Sequence, residues 1–515
     1  MKKTLSLMLA ALLFILCACG NKAAPVLVPE SSAAVPEPSE EKEEPVSALS
    51  FYTDIQFYEK KDGDTLLCRV DYPVLKLETS DAESFPLLKK AIDNINNAFI
   101  RNGKSSFEQL SPAAESSYAA DSKGFETLRR STSLVLPRAD SLAVSMLFPS
   151  VFSDGAGEDV SYSSVNCDTR TGREIELRHV VKDLPQLREI IETLLPQKYP
   201  RVEFSDLMGS LNRYMDDPGL FVWTLEYEGI TLFFNPYELA GAEAGLLSLS
   251  LRYDNYPELL EQSYARTPPA FSVPLVDGCC PNFDLDLNGA SDEIRVTADY
   301  NEALGYADVL RISVNGNEIS TKTGLRSCDC YVIHAGLGRD YLFINGENLS
   351  DYGYINVFRL SRTGASFVGG LYDTSLQSAG FSGHCLGKPI LSDPERFYLG
   401  SKCPLLRTQV GIKQYRIGSE GMPESADKYF LLDPSEALSG KRELSTVSID
   451  PNTGSGSQIA VKIPAGTQYY FWRTDGTSFV DMMTGDGVYC RLFVTNGNPQ
   501  RVNGIEISEL FDSAV

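Results

Sequence analysis

The chain has 515 residues, of which 43% are hydrophobic and 22% charged, a composition typical of ordinary globular proteins. Its formal net charge is −23 and its pI is about 4.7. Nucleic-acid binding needs lysine and arginine clusters that neutralise phosphates, so this acidity argues against a nucleic-acid partner. It also argues against direct contact with an anionic membrane surface, and it favours cationic partners at encounter.

The first 18 residues have the pattern of a signal peptide. Lys2 and Lys3 give a positively charged start, and residues 5–16 form an apolar run that is too short to span a bilayer. The run closes with Leu16-Cys17-Ala18-Cys19, which resembles the lipobox of bacterial lipoproteins. This resemblance implies cleavage before Cys19 and attachment of a lipid to its thiol. We therefore expect a lipid anchor in the membrane and a location on the outer face of the cytoplasmic membrane; the alternative is an ordinary cleaved signal.

Residues 19–48 are predicted to form a disordered tether. The segment is rich in Pro, Ala, Ser and Glu, and it contains the charged run Glu40-Glu41-Lys42-Glu43-Glu44. Such a segment buries too little surface to offset its backbone entropy, and its prolines and like charges keep it extended. Roughly 465 residues follow, which is more than one hydrophobic core usually organises, so two or three domains are expected.

Residues 51–264 are predicted to form an α+β domain, with an antiparallel sheet and helices on one side. The alternating run 66–77 predicts a strand, apolar residues at helical spacing predict a helix over 84–100, and Gly103 is interpreted as its C-cap. We also predict two strands within 132–152 broken at 137–140, a hairpin of 161–167 with 174–177, helices over 184–195 and 205–214, a hairpin over 220–234 and a last strand over 246–253.

Two motifs of this region, in this order, resemble the RsiV-like extracytoplasmic domain family. The first is the hairpin Asp168-Thr169-Arg170-Thr171-Gly172, and the second is Phe234-Asn235-Pro236-Tyr237 followed by Ala240. The resemblance extends over most of 51–264. The family includes a lysozyme-sensing anti-sigma factor and the non-catalytic N-terminal part of some peptidoglycan deacetylases. It therefore implies recognition at the cell envelope and not chemistry.

The chain departs from this family at two points. Relatives carry Gly-Gly-Ala-His before the first hairpin, whereas this chain reads Asp154-Gly155-Ala156-Gly157. Any role of that histidine is therefore missing here. The anti-sigma relatives also have a cytoplasmic segment, and an anchor at Cys19 is expected to leave none, which excludes direct capture of a sigma factor.

Nine cysteines remain once Cys17 and Cys19 are set aside, so at least one stays outside intramolecular disulfides. The pairs Cys279-Cys280 and Cys328-Asp329-Cys330 lack the C-x2-C spacing of zinc sites. Export permits disulfides, but cysteines in large domains are often small buried hydrophobes.

Residues 271–515 are predicted to be all-β, as a sandwich or a propeller-like domain. Paired prolines in Thr267-Pro268-Pro269 mark the boundary. Short β-type runs separated by Gly, Asn, Asp and Ser follow, for example at 293–296, 309–314, 330–334, 341–344, 354–360 and 468–472.

One loop of this second region has the pattern of a calcium site. Oxygen-bearing side chains stand at relative positions 1, 3, 5 and 9, and a glycine stands at position 6; the four are Asp284, Asp286, Asn288 and Asp292. This spacing suits Ca²⁺, which takes six or more oxygen ligands. The loop resembles those that open the blades of integrin-type propellers. It is not an EF-hand, because Arg295 replaces the final glutamate, and the alternative is a plain Asn-Gly turn without an ion.

Signatures of catalysis are scarce. The three histidines, His179, His334 and His384, are far apart and form no H-x3-H or HExxH pair, and no complete G-x-S-x-G motif occurs. We therefore expect a non-catalytic, lipid-anchored binding or sensing protein whose ligand is a cationic lysozyme-type muramidase or a cell-wall fragment. The alternative is a wall-modifying hydrolase whose carboxylate catalysts the sequence does not reveal.

Overall fold

The computed structural model describes residues 44–155, 157–204, 206–276, 278–301, 305–348, 353–377, 388–451, 456–495 and 497–512. The chain divides into two units, Met1–Glu44 and Pro45–Val515, and only the second is described in detail. The predicted signal peptide, the lipidation site Cys19 and most of the predicted tether lie outside the described residues, as do His384 and Cys385. In the part of the chain that is described, none of the helices combines the length and apolar character needed to span a membrane.

The folded unit begins slightly earlier than the predicted end of the tether. Val46 is buried, the backbone N–H of Ser47 donates to the Ser141 hydroxyl, and Ala48 forms a β-bridge with Asp140. Residues 45–48 are therefore part of the folded unit and not of the tether.

The first region contains nine strands, five α-helices and three short 3-10 turns among the described residues. The strands are β1 Phe51–Asp62, β2 Thr65–Leu77, β3 Leu128–Thr132, β4 Val135–Ala139, β5 Ala143–Ser153, β6 Glu158–Asp168, β7 Val222–Leu225, β8 Gly229–Phe234 and β9 Leu247–Arg252. The helices are α1 Thr79–Ser84, α2 Pro86–Ala120, α3 Leu177–Val180, α4 Leu184–Lys198 and α5 Leu207–Asp216, and the 3-10 turns are Pro218–Leu220, Ala242–Ala244 and Gln262–Ala265.

Helix α2 is twice as long as predicted. Its apolar stripe, which includes Leu88 and Ile92, packs into the core as the spacing predicts. The interpretation of Gly103 as a C-cap is wrong: Gly103 lies within the helix, where a Cβ atom would stand 2.6 Å from Cδ1 of Tyr72. The glycine allows the helix to pass directly over the Tyr72 ring, and the price in helix propensity is about 1 kcal/mol.

The strands of the first region form two sheets. Strands β1, β2, β3, β5, β4 and β6 belong to a seven-stranded sheet in which only the β2–β3 pair is parallel, and β7, β8 and β9 form a separate antiparallel sheet. Helices α4 and α5 pack on the three-stranded sheet, where Ile191 and Leu211 join Leu232 in one core. The α+β prediction is confirmed for this region.

The second region is rich in β-strands, as predicted. Its first strands are β10 Phe271–Pro274, β11 Cys279–Phe283, β12 Asp292–Asn301, β13 Tyr306–Val314, β14 Asn317–His334, β15 Asp340–Asn348, β16 Gly353–Ser361 and β17 Gly364–Tyr372. They form an eight-stranded antiparallel sheet in the order β11-β12-β13-β14-β15-β16-β17, with β10 beside β14. All the runs predicted as strands between 293 and 360 lie in this sheet.

The remaining strands form a second large sheet. They are β18 Thr374–Gln377, β19 Lys388–Ile390, β20 Phe397–Cys403, β21 Gln409–Ile417, β22 Pro423–Glu424, β23 Phe430–Leu431, β24 Ala437–Gly440, β25 Leu444–Ile449, β26 Gly456–Ile463, β27 Gln468–Thr474, β28 Phe479–Thr484, β29 Tyr489–Thr495, β30 Arg501–Val502, β31 Ile505–Glu506 and β32 Phe511–Asp512, with one short helix, α6 Ile507–Leu510. All except β19 belong to a 14-stranded sheet. Within the described residues, the two large sheets do not divide into the four-stranded blades of a propeller.

The two regions share structure across the predicted boundary. Strand β19 completes the seven-stranded sheet by pairing with β1, with Ile390 opposite Phe51. The Tyr227 ring stacks on that of Phe271 with centroids 4.0 Å apart. The side chain of Arg138, fully buried in β4, binds Asp140 at 2.8 Å and donates to the carbonyl of Arg266 at 2.8 Å. The strand break predicted at 137–140 lies instead at 140–142, and Arg138 belongs to β4 because its side chain is held inside the junction.

Candidate functional site: the acidic loop between β11 and β12

The predicted calcium loop connects two paired strands. β11 and β12 are antiparallel, with Phe283 opposite Asp292, and residues 284–291 form the connection, which we call the acidic loop. Leu287 has φ 55° and Gly289 has φ 85°, so the backbone visits the left-handed region twice. These turns point several backbone N–H groups inward, towards the start of the loop.

Asp284 is the centre of the acidic loop. It is buried, with only 3% of its surface exposed. One carboxylate oxygen accepts from the N–H of Gly289 at 2.7 Å, and the other accepts from the N–H groups of Asn288 at 3.2 Å and Asp286 at 3.3 Å. These three backbone donors satisfy the hydrogen-bonding capacity of a carboxylate that water cannot reach.

The other predicted ligands stand around Asp284. Asp292 is buried and accepts from the N–H of Leu285 at 2.7 Å, while its second oxygen accepts from the Asn315 amide. Asp286 is exposed and pairs with Arg362 at 3.2 Å. Asn288 is exposed, and its carbonyl oxygen accepts from the N–H of Ala290 at 2.8 Å.

Three of the four predicted ligands converge. Asp284, Asp286 and Asp292 each offer a carboxylate oxygen, and these atoms lie within 4.8 Å of one another. Asn288 belongs to the same turn, but its side-chain oxygen is directed to the backbone. Three carboxylates at this separation suit a hard cation, which would also recruit waters to complete its oxygen ligands.

Two arginines that the sequence pattern did not reveal compete for these carboxylates. The Arg252 guanidinium, 5% exposed, lies 3.2 Å from Asp284, and Arg362 occupies one oxygen of Asp286. Although desolvation raises the pKa of Asp286, hydrogen bonds from Asn288 and Arg362 lower it overall. Asp286 is therefore paired in the absence of an ion, and a cation that takes both of its oxygens has to displace Arg362.

The turn of the β7–β8 hairpin adds two more acids beside the loop. Glu228 pairs with Arg252, which links it to Asp284. Burial raises the pKa of Glu228 to about 7, against the opposing effect of Arg252. Burial also raises the pKa of Glu226 to about 7; this carboxylate accepts from the Thr224 hydroxyl at 2.9 Å, but its second oxygen has no hydrogen-bond partner. Sequence reasoning missed both residues as site members, although they stand at the turn of the hairpin predicted over 220–234.

A surface groove of about 500 Å³ opens beside the acidic loop. Its walls include Asn288, Ser291 and Asp292 from the loop, Asn315 from the β13–β14 turn and Arg362 from the β16–β17 turn. The groove is polar and open, and small solutes can reach Asp292 through it.

The two described histidines have structural partners. His179 belongs to a capping box, and its Nδ1 accepts from the N–H of Glu176 at 3.2 Å. Nδ1 of His334 lies 2.7 Å from Asp340, and its ring stacks on Phe271 with centroids 5.0 Å apart. Neither histidine lies beside a serine or cysteine nucleophile in the hydrogen bonds of the described residues.

Several cysteines are buried thiols rather than disulfides. Cys68, Cys167, Cys403 and Cys490 are buried and reduced. The thiols of Cys328 and Cys330 lie 3.9 Å apart on β14. Burial raises the pKa of Cys167 and of Cys490 to about 12, which suits small core residues.

Comparison with known proteins returns distant solved structures, which include two proteins of the DUF3298 family. No family model matches the chain, and no curated protein matches it. A crystal structure of a DUF3298 family member from Bacteroides fragilis is 12% identical with a TM-score of 0.33 and covers 43% of this chain and 97% of its own. A DUF3298 family protein from Pseudomonas aeruginosa is 13% identical with a TM-score of 0.29, covering 42% of this chain and 97% of its own. Such low scores carry no argument about function.

Proposed function

We propose that the chain is a lipid-anchored, non-catalytic binding or sensing protein on the outer face of the cytoplasmic membrane. The observation that carries this proposal is the order of the sequence: an apolar run ending in Leu16-Cys17-Ala18-Cys19, a Pro- and Glu-rich tether, and then a folded unit. In this proposal Cys19 carries the lipid, and the tether holds the folded unit away from the bilayer.

The proposed ligand is a lysozyme-type muramidase or a cell-wall fragment. The resemblance of residues 51–264 to RsiV-like domains supports recognition at the envelope. The net charge of −23 supports a cationic protein partner, because opposite charges accelerate encounter. The second region then supports or extends the binding surface, and a sandwich arrangement of its two large sheets belongs to this proposal.

We propose further that the acidic loop binds Ca²⁺ as a structural ion. The convergence of Asp284, Asp286 and Asp292 within 4.8 Å supports this site, with Asn288 as a fourth ligand once its side chain turns from the N–H of Ala290. An ion here would brace the β11–β12 connection. It would take no part in chemistry.

The alternative function is a wall-modifying hydrolase. One observation favours it: Glu228 is partly accessible, has a pKa raised to about 7 by burial, and stands beside Asp284. Acids with raised pKa values often serve as proton donors. Against this role, Arg252 lies between the two carboxylates and pairs with both.

The deciding experiment uses the full-length chain in detergent, incubated with intact peptidoglycan sacculi and, separately, with a lysozyme. The proposal expects a saturable complex without released sugar or acetate. Salt should weaken the complex with the lysozyme, because the attraction between the acidic chain and a cationic protein is screened. Release of sugar or acetate that disappears in Glu228→Gln would support the hydrolase instead. Absence of binding to both materials would overturn the binding proposal.

A further inference from the structure

A second groove, of about 630 Å³, lies between β14, β16 and β17. It shares no lining residue with the groove beside the acidic loop. Its walls combine aromatic rings with hydroxyl, amide and charged groups, which is the composition of ligand sites in which a few polar groups orient the ligand.

The floor of this groove is an ordered ladder of side chains. In the β16–β17 pair, Tyr354 stands opposite Tyr372, Asn356 opposite Gly370, and Phe358 opposite Phe367. Alternate residues of a strand share a face, so the ladder presents an aromatic pair, an amide and a second aromatic pair in line. The two aromatic pairs are four residues apart on β16, or about 13 Å.

The two rings that β17 contributes to the ladder are accessible, whereas Phe358 on β16 is buried beneath them. Tyr372 is 79% exposed and Phe367 is 58% exposed. The Phe367 ring packs edge-on against Phe358 with centroids 5.4 Å apart, and the Tyr354 hydroxyl is hydrogen-bonded to Thr323. Exposed aromatic side chains gathered in one place usually mark a binding surface.

The amide in the middle of the ladder is left open by the glycine opposite it. A Cβ atom on Gly370 would stand 2.7 Å from Oδ1 of Asn356, so any larger residue would cover the amide. Within the described residues, no hydrogen bond uses the side chain of Asn356 or of Lys322, and both line the groove. An amide both donates and accepts, and its best partner is another group that does the same.

We propose that this groove binds an N-acetylated oligosaccharide. This inference specifies the ligand class for the proposed wall-binding function and therefore rests on that function. The flat C–H faces of two sugar rings pack on the aromatic pairs at Tyr372 and Phe367. Asn356 exchanges two hydrogen bonds with an acetamido group between them. Lys322 and Thr321 bind hydroxyl oxygens from the β14 wall.

The test is a titration of the full-length chain in detergent with chitotriose, which carries acetamido groups, and with cellotriose, which does not. We expect saturable binding of chitotriose and clearly weaker binding of cellotriose. Tyr372→Ala should weaken chitotriose binding at least tenfold, or about 1.4 kcal/mol. Asn356→Ala should remove the preference between the two sugars. Tyr300→Ala, which removes a ring 56% exposed on the same sheet but outside the groove, should change nothing.

The outcomes separate this inference from the proposed function. Failure of chitotriose to bind, or unchanged binding in Tyr372→Ala, overturns the groove assignment even if sacculi and lysozyme still bind. Equal weakening in Tyr300→Ala also overturns it. Binding of chitotriose without binding of sacculi or lysozyme leaves the groove correct and removes the wider proposal.

Discussion

The acidic loop and the β7–β8 hairpin both bury carboxylates, yet they supply those carboxylates with different numbers of hydrogen-bond donors. Asp284 receives three backbone N–H groups and an arginine, whereas Glu226 receives the Thr224 hydroxyl and leaves one oxygen without a partner. Burial raises the pKa of Glu226 to about 7, although hydrogen bonds from neighbouring side chains oppose the shift. The comparison shows that local backbone geometry, and not depth alone, decides how fully the oxygens of a buried acid are hydrogen-bonded.

The largest effect should come from removing the centre of the loop. Asp284→Ala removes the buried partner of Arg252, which keeps only Glu228 and the exposed Asp254, and it leaves three N–H groups without their acceptor. Breaking a buried ion pair costs about 3–5 kcal/mol, so we expect a loss of that size in the free energy of unfolding, measured by urea denaturation in EDTA. Asp286→Ala is the matched control, with a change within about 0.5 kcal/mol because the side chain is exposed. Equal losses in both variants would contradict the assigned roles.

Glu226 should make the free energy of unfolding depend on pH. Its pKa rises from 4.5 to about 7 on folding, so the folded state holds the proton more tightly than the unfolded state. The free energy of unfolding must then fall as pH rises from about 4.5 to about 7, by up to about 3 kcal/mol. Glu226→Gln should remove this fall, so that the difference in stability between pH 5 and pH 8 shrinks by that amount. A difference that persists unchanged would show that Glu226 is charged in the folded state.

Calcium should separate the two regions further, because among the residues that the structure describes the group of converging carboxylates lies in the acidic loop. Thermal melts in Ca²⁺ should show a higher transition temperature than melts in EDTA. At a Ca²⁺ concentration a hundredfold above Kd, the gain in the free energy of unfolding is about 2.7 kcal/mol. Arg362→Ala should strengthen the effect by freeing Asp286, and Asp286→Ala should abolish it. No shift in either the wild type or Arg362→Ala would end the calcium proposal.

The smallest effect should come from Arg362 itself without calcium. The Arg362–Asp286 pair is exposed, with side chains 62% and 34% accessible. Such pairs contribute about 0–1 kcal/mol, and salt reduces this further. We expect Arg362→Ala in EDTA to change the free energy of unfolding by less than about 1 kcal/mol. A loss as large as that of Asp284→Ala would mean that the loop depends on Arg362 for its folding.

Local patterns in the sequence predicted most elements but not their long-range partners. The spacing of Leu88 and Ile92 predicted the helix, and the Asp-x-Asp-x-Asn-Gly pattern predicted a loop in which carboxylates meet, since both depend on neighbours in the chain. Gly103 was misinterpreted because its reason, the Tyr72 ring, is 31 residues away. The ion pair of Arg252 with Asp284 and the pairing of Ile390 with Phe51 were missed for the same reason. The spacing of residues in the sequence does not indicate which distant strand supplies a counter-charge or pairs with a sheet edge.

Mass spectrometry of the mature N-terminus tests the central claim most directly, because every proposed ligand requires the folded unit to be outside the cytoplasm. The account predicts a chain that begins at Cys19 and carries a diacylglycerol on that thiol. A mature chain that retains residues 1–18, or one whose Cys19 thiol is unmodified, would contradict it.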